Sequence, residues 1–149
     1  MNANTNNVKQ VVPLLAVANM ERSLAYYGEG LGFAMKNRWE VNGKVRWCWL
    51  ELGGAALMLQ EFFKEGHDSW VPAGKVGEGV SLNFTCEDAI AIHHEVRSRG
   101  IEASEPQVGN SRWVTGLTDP DGYRLFFGSP TDTPEETKLS EVAKAAENP

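Results

Sequence analysis

The alternation of apolar and polar residues predicts the same order of strands and helices twice along the chain. A strand candidate at 11–17 comes first. Asn19 is then a good helix N-cap, and Glu21 suits the first helical turn. The helix that follows has one apolar face, with spacings of four, three and four: Met20, Leu24, Tyr27 and Leu31.

Three strands separated by tight turns complete the first half. They are predicted at 33–41, 44–52 and 55–61. Asn42-Gly43 is a type I′ hairpin signal, and Gly53-Gly54 is a second two-residue turn. The first half is therefore predicted to be β-α-β-β-β.

The second half repeats this plan. A strand at 80–86 precedes a helix that opens at Asp88, about 69 residues after Asn19. The apolar face of this helix consists of Ala89, Ile92 and Val96. A short strand interrupted by Pro106 is predicted within 101–108, and two more strands are predicted at 112–118 and 123–128. The order of elements indicates an internal duplication.

The duplication divides the chain into five segments. They are a loose N-terminus (1–9), a first β-α-β-β-β module (10–62), a linker or lid (63–78), a second such module (79–130) and a helical tail (131–149). The tail helix is predicted to start at Pro134-Glu135-Glu136 and to carry a thin apolar stripe. It is either a solvated appendage or a surface that packs on a partner subunit.

Composition narrows the functional classes. The net charge is −6 and the pI about 5.1, without a basic patch, so nucleic acid is not an expected partner and a cationic ligand is favoured. No apolar run approaches the ~20 residues of a membrane span. The first residues lack the parts of a signal peptide, and Cys48 and Cys86 show no metal or redox spacing. We therefore expect a cytoplasmic protein with reduced thiols.

The tandem modules and two motifs resemble the vicinal oxygen chelate superfamily, which includes glyoxalase I, extradiol dioxygenases, fosfomycin resistance enzymes and bleomycin resistance proteins. The motifs are Glu21-Arg22-Ser23-Leu24-Ala25-Tyr26-Tyr27 before Leu31-Gly32-Phe33, and Asp119-Pro120-Asp121-Gly122-Tyr123-Arg124. The resemblance implies an α+β fold in which each module curls its sheet into a half barrel, with helices on the convex side. It also implies that enzymes of the superfamily hold a divalent metal with four ligands, two from each module.

The positions that carry those ligands in the enzymes hold unsuitable residues here. By spacing from the motifs they are Val12, Met58, Ser81 and Phe126. Valine and phenylalanine cannot coordinate a metal, methionine suits Cu(I), and neutral serine is a poor ligand. His93 and His94 are consecutive on a helix and cannot chelate together, and His67 is alone. The sequence therefore predicts no metal, no cofactor and no catalytic residues.

The resemblance implies that the metal positions, including Met58, face the concave side, and strand pairing then predicts which other residues share that side. A turn at Gly53-Gly54 pairs Trp49 with Met58 and Trp47 with Gln60, and paired residues share a face. If Thr118 pairs with Tyr123 in the last hairpin, Trp113 and Phe126 lie on the equivalent face of the second module. The predicted ligand-binding wall is Trp47, Trp49, Met58, Gln60, Ser81, Asn83, Trp113 and Phe126. The candidate carboxylates near it are Glu40, Glu51, Glu61 and Glu65.

The resemblance and the aromatic wall together favour the bleomycin resistance branch. The prediction is a homodimer that sequesters a planar, cationic small molecule without altering it, with antibiotic resistance as the implied role. One alternative is a metal-dependent lyase or dioxygenase of the same superfamily. A further alternative is a structural module whose groove is filled by side chains. The sequence does not place Trp39 or Trp70, or say whether modules pair within or between chains.

Overall fold

The computed structural model describes residues 6–62 and 71–147, and in these ranges the chain forms two four-stranded mixed sheets and three α-helices. Both sheets are open and curved, with the helices on the convex side, which confirms the predicted α+β fold. Residues 63–70 of the predicted linker, with His67, Glu65 and Trp70, lie outside the described residues. None of the helices in the described ranges combines the length and apolarity that a bilayer crossing requires.

The first module has the predicted order of elements. They are β1 (Leu14–Val17), α1 (Met20–Leu24), β2 (Ala34–Val41), β3 (Lys44–Leu52) and β4 (Ala55–Glu61). The first helix continues as a π-helical segment, Ala25–Gly30. The sheet order is β1-β4-β3-β2, and β1 pairs with β4 in parallel while the other neighbours are antiparallel.

The second module and the tail supply the remaining elements. They are β5 (Ser81–Thr85), α2 (Ala89–Ser98), β6 (Gln107–Gly109), β7 (Arg112–Thr118), β8 (Arg124–Pro130) and α3 (Leu139–Glu147). The sheet order β5-β8-β7-β6, with β5 parallel to β8, repeats the first module. The N-caps repeat as well, since Asn19 accepts from the Arg22 amide at 3.0 Å and Asp88 from the Ala91 amide at 2.9 Å. This confirms the predicted duplication.

One core joins the two modules. Met20, Tyr27 and Leu31 of the predicted helical face are buried even though the helix widens to π geometry, and Leu24 packs against the same cluster. Val96 of α2 and Leu125 and Phe127 of β8 belong to that cluster too. The convex sides of both sheets therefore face this core, and the concave sides face away from it.

The turn between β7 and β8 ties the second module to the first. The Tyr123 hydroxyl accepts from the Ala16 amide at 3.0 Å and donates to the Ala16 carbonyl at 3.1 Å. The buried Asp119 carboxylate accepts from the Tyr27 hydroxyl at 2.7 Å. Burial is the main cause that raises the pKa of Tyr27, and the negative charge of Asp119 raises it further. The Tyr27 hydroxyl therefore stays protonated and donates. The motif that suggested the superfamily thus also joins the two modules.

One predicted boundary is wrong, because the tail helix begins at Leu139 rather than near Pro134. The short strand expected within 101–108 lies at the end of that range, at Gln107–Gly109, directly after Pro106. The tail instead forms a turn beside β6, where the Glu136 amide donates to the Val108 carbonyl and the Val108 amide donates to the Thr137 carbonyl, both at 2.9 Å. Glu136 has a φ of 68°, which is incompatible with a right-handed helix at this point and explains the later helix start.

Gly77→Ala is expected to destabilise the protein more than Gly79→Ala. Both glycines have positive φ, +84° and +77°, so both substitutions strain the backbone by about 1 kcal/mol. A Cβ at Gly77 would also lie 2.5 Å from the Gly122 carbonyl oxygen, whereas a Cβ at Gly79 meets nothing within 4 Å. Urea unfolding should show an additional loss of roughly 1–3 kcal/mol for Gly77→Ala. Equal losses would contradict this close packing against the β7–β8 turn.

Candidate functional site

The pairing of β3 with β4 places four predicted site residues on one face of the first sheet. Trp47 is the register partner of Gln60, and Trp49 is the partner of Met58, as predicted. All four are partly exposed, while Cys48, between the two tryptophans, and Leu59, between Met58 and Gln60, are buried in the core. Because successive strand residues point to opposite faces, the four lie on the concave side.

Trp39 belongs to the same face. It is the register partner of Trp47, and Asn37 is the partner of Trp49. A register shift between Trp39 and Glu40 produces this pairing; simple counting from the Asn42-Gly43 turn would set Trp39 opposite Arg46. Trp39 is 52% exposed. We call this surface the tryptophan face: Trp39, Trp47, Trp49, Met58 and Gln60.

One of the candidate carboxylates lies at the tryptophan face. The Trp49 indole N–H donates to Glu51 Oε1 at 3.2 Å, and Glu51 is two residues along the same strand face. Glu61 is on the convex side instead, where it pairs with Arg46 and accepts from the Met20 amide at 2.8 Å. Glu40 forms an exposed ion pair with Arg38. Glu51 is therefore the carboxylate best placed to meet a cation.

The equivalent face of the second sheet carries three predicted site residues. Asn83 is the register partner of Phe126, and Ser81 is the partner of Arg124. The Asn83 side-chain amide donates to Ser81 Oγ at 3.0 Å, and both residues are exposed. Phe126 is half-buried. This surface is more polar than the tryptophan face.

The predicted position of Trp113 is wrong. Thr118 pairs with Arg124 rather than Tyr123, so Trp113 pairs with Ser129 and lies in a buried cluster with Ala89 and Val108. A slip of one residue turns every side chain of a strand to the other face. Tyr123 is held out of the ladder because its amide donates to Asp119 at 2.8 Å and its hydroxyl reaches β1.

The two cavities described here each contain only part of the set of seven remaining site residues. A cleft of about 870 Å³ between the modules includes Ser81 and Asn83. A second cavity of about 770 Å³ includes Phe126, Gly116 and Arg124. Neither lining includes a residue of the tryptophan face. In the single chain that face is partly exposed, and Trp39 is its most exposed residue.

The sequence comparison agrees with the fold and the duplicated modules. Residues 8–127 match the Glyoxalase/Bleomycin resistance protein/Dioxygenase superfamily. The chain belongs to this superfamily. No curated protein shows significant similarity to the sequence.

Several solved structures share the fold of this chain. An antibiotic-binding protein from Streptomyces sp. CB03234 aligns with a TM-score of 0.66 at 20% identity, over 84% of this chain and 98% of that one. A bleomycin resistance determinant encoded on transposon Tn5 aligns with a TM-score of 0.64 at 20% sequence identity, over 83% of this chain and 98% of that one. A bleomycin-binding protein in complex with bleomycin aligns with a TM-score of 0.62 at 20% sequence identity, over 82% of this chain and 98% of that one.

The residues present do not fit the divalent metal of the superfamily's enzymes. Val12 and Met58 of the first module, and Ser81 and Phe126 of the second, supply no carboxylate or imidazole. Within residues 6–62 and 71–147, no three His, Cys, Asp or Glu side chains are grouped closely enough to hold a metal ion. Burial raises the pKa of the Cys48 thiol to about 11, which disfavours the thiolate that binds metals.

Proposed function

We propose that this protein binds and sequesters a planar, cationic small molecule of the bleomycin type without chemical conversion and without a metal. The tryptophan face is the principal contact surface, and Ser81, Asn83 and Phe126 add polar and aromatic contacts from a second module. Antibiotic resistance in the cytoplasm is the corresponding biological role.

The observation that carries this proposal is the set of three indoles on adjacent positions of β2 and β3. Trp39 and Trp47 are register partners, and Trp49 follows on the same face. Indoles stack on planar ligands and attract cations, and each such contact contributes about 0.5–2 kcal/mol. Trp113 packs in the core, whereas Trp39 is half exposed in the single chain and is therefore available for contact with a ligand.

Charge supports a cationic ligand. Glu51 lies beside Trp49, and the whole chain has a net charge of −6. Both features attract positive charge, one at short range and one during diffusional approach. The antibiotic-binding protein and the bleomycin-binding protein that share this fold also support a ligand of the bleomycin type.

A second copy of the chain is proposed to complete the groove. The tryptophan face lines neither of the two cavities described above, and ligand sites normally enclose most of their ligand. A homodimer in which the second sheet of one subunit covers the first sheet of the other would bring Ser81, Asn83 and Phe126 to this face. Sedimentation velocity should then give a dimer, and a monomer at micromolar concentration would contradict this part of the proposal.

Titration with metal-free bleomycin tests the binding function. We expect quenching of tryptophan fluorescence and a measurable heat of binding at micromolar ligand, because stacking places the drug against the indoles. N-acetyltryptophanamide at the same absorbance controls for inner-filter quenching. The absence of heat up to high micromolar ligand would exclude this drug class.

Metal analysis of the purified protein separates binding from the enzymatic alternative. A lyase or dioxygenase of this superfamily requires about one divalent ion per site, whereas the donor set found here predicts less than a tenth of an equivalent. The measurement should be repeated after incubation with Zn²⁺, Fe²⁺ or Mn²⁺ and desalting. Retention of one equivalent would favour the enzyme.

A further inference from the structure

The β7–β8 turn fills a socket on the first module that is formed by β1 and α1. The Tyr123 hydroxyl bonds both main-chain groups of Ala16, at 3.0 and 3.1 Å. The Asp119 carboxylate accepts a hydrogen bond from the Tyr27 hydroxyl at 2.7 Å, and the Asp121 carboxylate accepts one from the Ser23 hydroxyl at 3.3 Å. A phenol ring with a hydroxyl at its tip therefore occupies the space between the edge of β1 and the first helix.

The duplication creates the equivalent socket on the second module, between β5 and α2. At the repeat spacing, Thr85 corresponds to Ala16, Ile92 to Ser23, Glu95 to Tyr26, and Val96 to Tyr27. The Cys86 amide donates to Gly128 of β8, so by strand alternation the Thr85 N–H and C=O point to the opposite edge. The edge of β5 thus presents one donor and one acceptor, as Ala16 does.

The turn that would fill this second socket is too short. The five-residue loop 119–123 of the second module is reduced to Gly53-Gly54 in the first, and Ala55 stands where the strand alignment places Tyr123. A methyl group neither donates nor accepts a hydrogen bond. A Cβ added at Gly53 or Gly54 would meet no heavy atom within 4 Å. The result is the cleft of about 870 Å³, whose lining includes Ala55, Thr85, Ile92, Glu95 and Val96.

We propose that this cleft is a second ligand site, which shares Ser81 and Asn83 but no tryptophan with the site proposed above, and that it binds a planar aromatic molecule carrying a phenolic hydroxyl. The hydroxyl accepts from the Thr85 N–H and donates to the Thr85 C=O, as Tyr123 does at Ala16. The ring packs on the apolar side chains of Ile92 and Val96. Glu95 is an exposed carboxylate at the lining, so a phenol that also carries an ammonium group binds best.

Tyramine is a suitable probe, because it combines a phenol with an ammonium group. In ¹⁵N-labelled protein we expect tyramine to shift the Thr85 amide signal with a dissociation constant on the order of 1 mM, which is typical of so small a ligand. Phenethylamine, which lacks the hydroxyl, and 4-hydroxyphenylacetate, which is anionic, should each bind at least fivefold more weakly. An unchanged Thr85 signal at 20 mM tyramine, or equal affinity for phenethylamine, would overturn the proposal.

Two variants locate the site independently. Ala55→Tyr should supply the missing phenol from the chain itself and abolish the tyramine shifts, while Ala143→Tyr on the exposed face of α3 should leave them unchanged. Glu95→Gln should reduce the preference for tyramine over 4-hydroxyphenylacetate. Trp49→Ala should not alter tyramine binding, so failure at either site is distinguishable from failure at the other. Full tyramine affinity in both Ala55→Tyr and Glu95→Gln would also overturn the proposal.

Discussion

Asp119→Ala is expected to lower the free energy of unfolding by about 3–5 kcal/mol, because it removes the acceptor at the centre of the contact between modules. The carboxylate accepts from the Tyr27 hydroxyl at 2.7 Å, the Tyr123 amide at 2.8 Å and the Asp121 amide at 2.9 Å. Its substitution leaves three donors in a buried region without their partner. Urea denaturation monitored by tryptophan fluorescence measures the loss.

Two further variants make this prediction specific. Asp132→Ala removes an exposed aspartate of the tail and should change the free energy of unfolding by less than about 0.5 kcal/mol. Tyr27→Phe keeps the ring and removes only the hydroxyl, so it should cost about 1–2 kcal/mol and be non-additive with Asp119→Ala. A loss below 1 kcal/mol for Asp119→Ala would show that the turn does not hold the modules together.

Trp49→Ala is expected to weaken binding of a bleomycin-type ligand at least tenfold, whereas Trp113→Ala should leave the affinity unchanged. Trp49 lies partly exposed on the concave face, where its ring is available for stacking and its N–H donates to Glu51. Trp113 is 9% exposed and packs with Ala89 and Val108. Isothermal titration of both variants measures the two affinities.

The free energy of unfolding should fall more for Trp113→Ala than for Trp49→Ala, which is the reverse of the order expected for the affinities. Removing the buried Trp113 ring should cost about 3–5 kcal/mol, and removing the half-buried Trp49 ring considerably less. Titrations of Trp113→Ala therefore require a temperature at which the variant is folded. Trp49→Phe serves as the conservative control and should recover part of the affinity through the remaining aromatic ring. Equal losses of affinity for Trp49→Ala and Trp113→Ala would contradict the assignment of faces.

Local sequence patterns determined most of the fold. Asn42 and Gly43 adopt φ of 52° and 77°, as a type I′ turn requires, and Gly53-Gly54 closes the next hairpin without an extra residue. Because Gly53-Gly54 forms a two-residue turn, the register between β3 and β4 follows from counting residues outward from that turn. The caps at Asn19 and Asp88 and the apolar spacing likewise determined both helices.

Counting residues outward from a turn gives the wrong strand register where a turn residue forms hydrogen bonds to another part of the chain. Tyr123 has a strand-like sequence environment, but its hydroxyl bonds Ala16, 107 residues away, and this removes it from the β8 ladder. The resulting shift of one residue moved Trp113 from the predicted wall into the core. Trp39 shows the same limitation, because the bulge beside Glu40, which no turn residue signals, brings it opposite Trp47.

The sequence by itself determined the two β-α-β-β-β modules, the unsuitability of the metal positions and the concave orientation of Trp47, Trp49, Met58 and Gln60, since these depend on local spacing and residue chemistry. Only the tertiary structure decided that Trp113 is core, that Trp39 joins the tryptophan face and that a cleft opens opposite the docked Asp119–Tyr123 turn. The physical reason is that bulges, long-range hydrogen bonds and the packing of one module on the other set those positions, and none of these has a local signature.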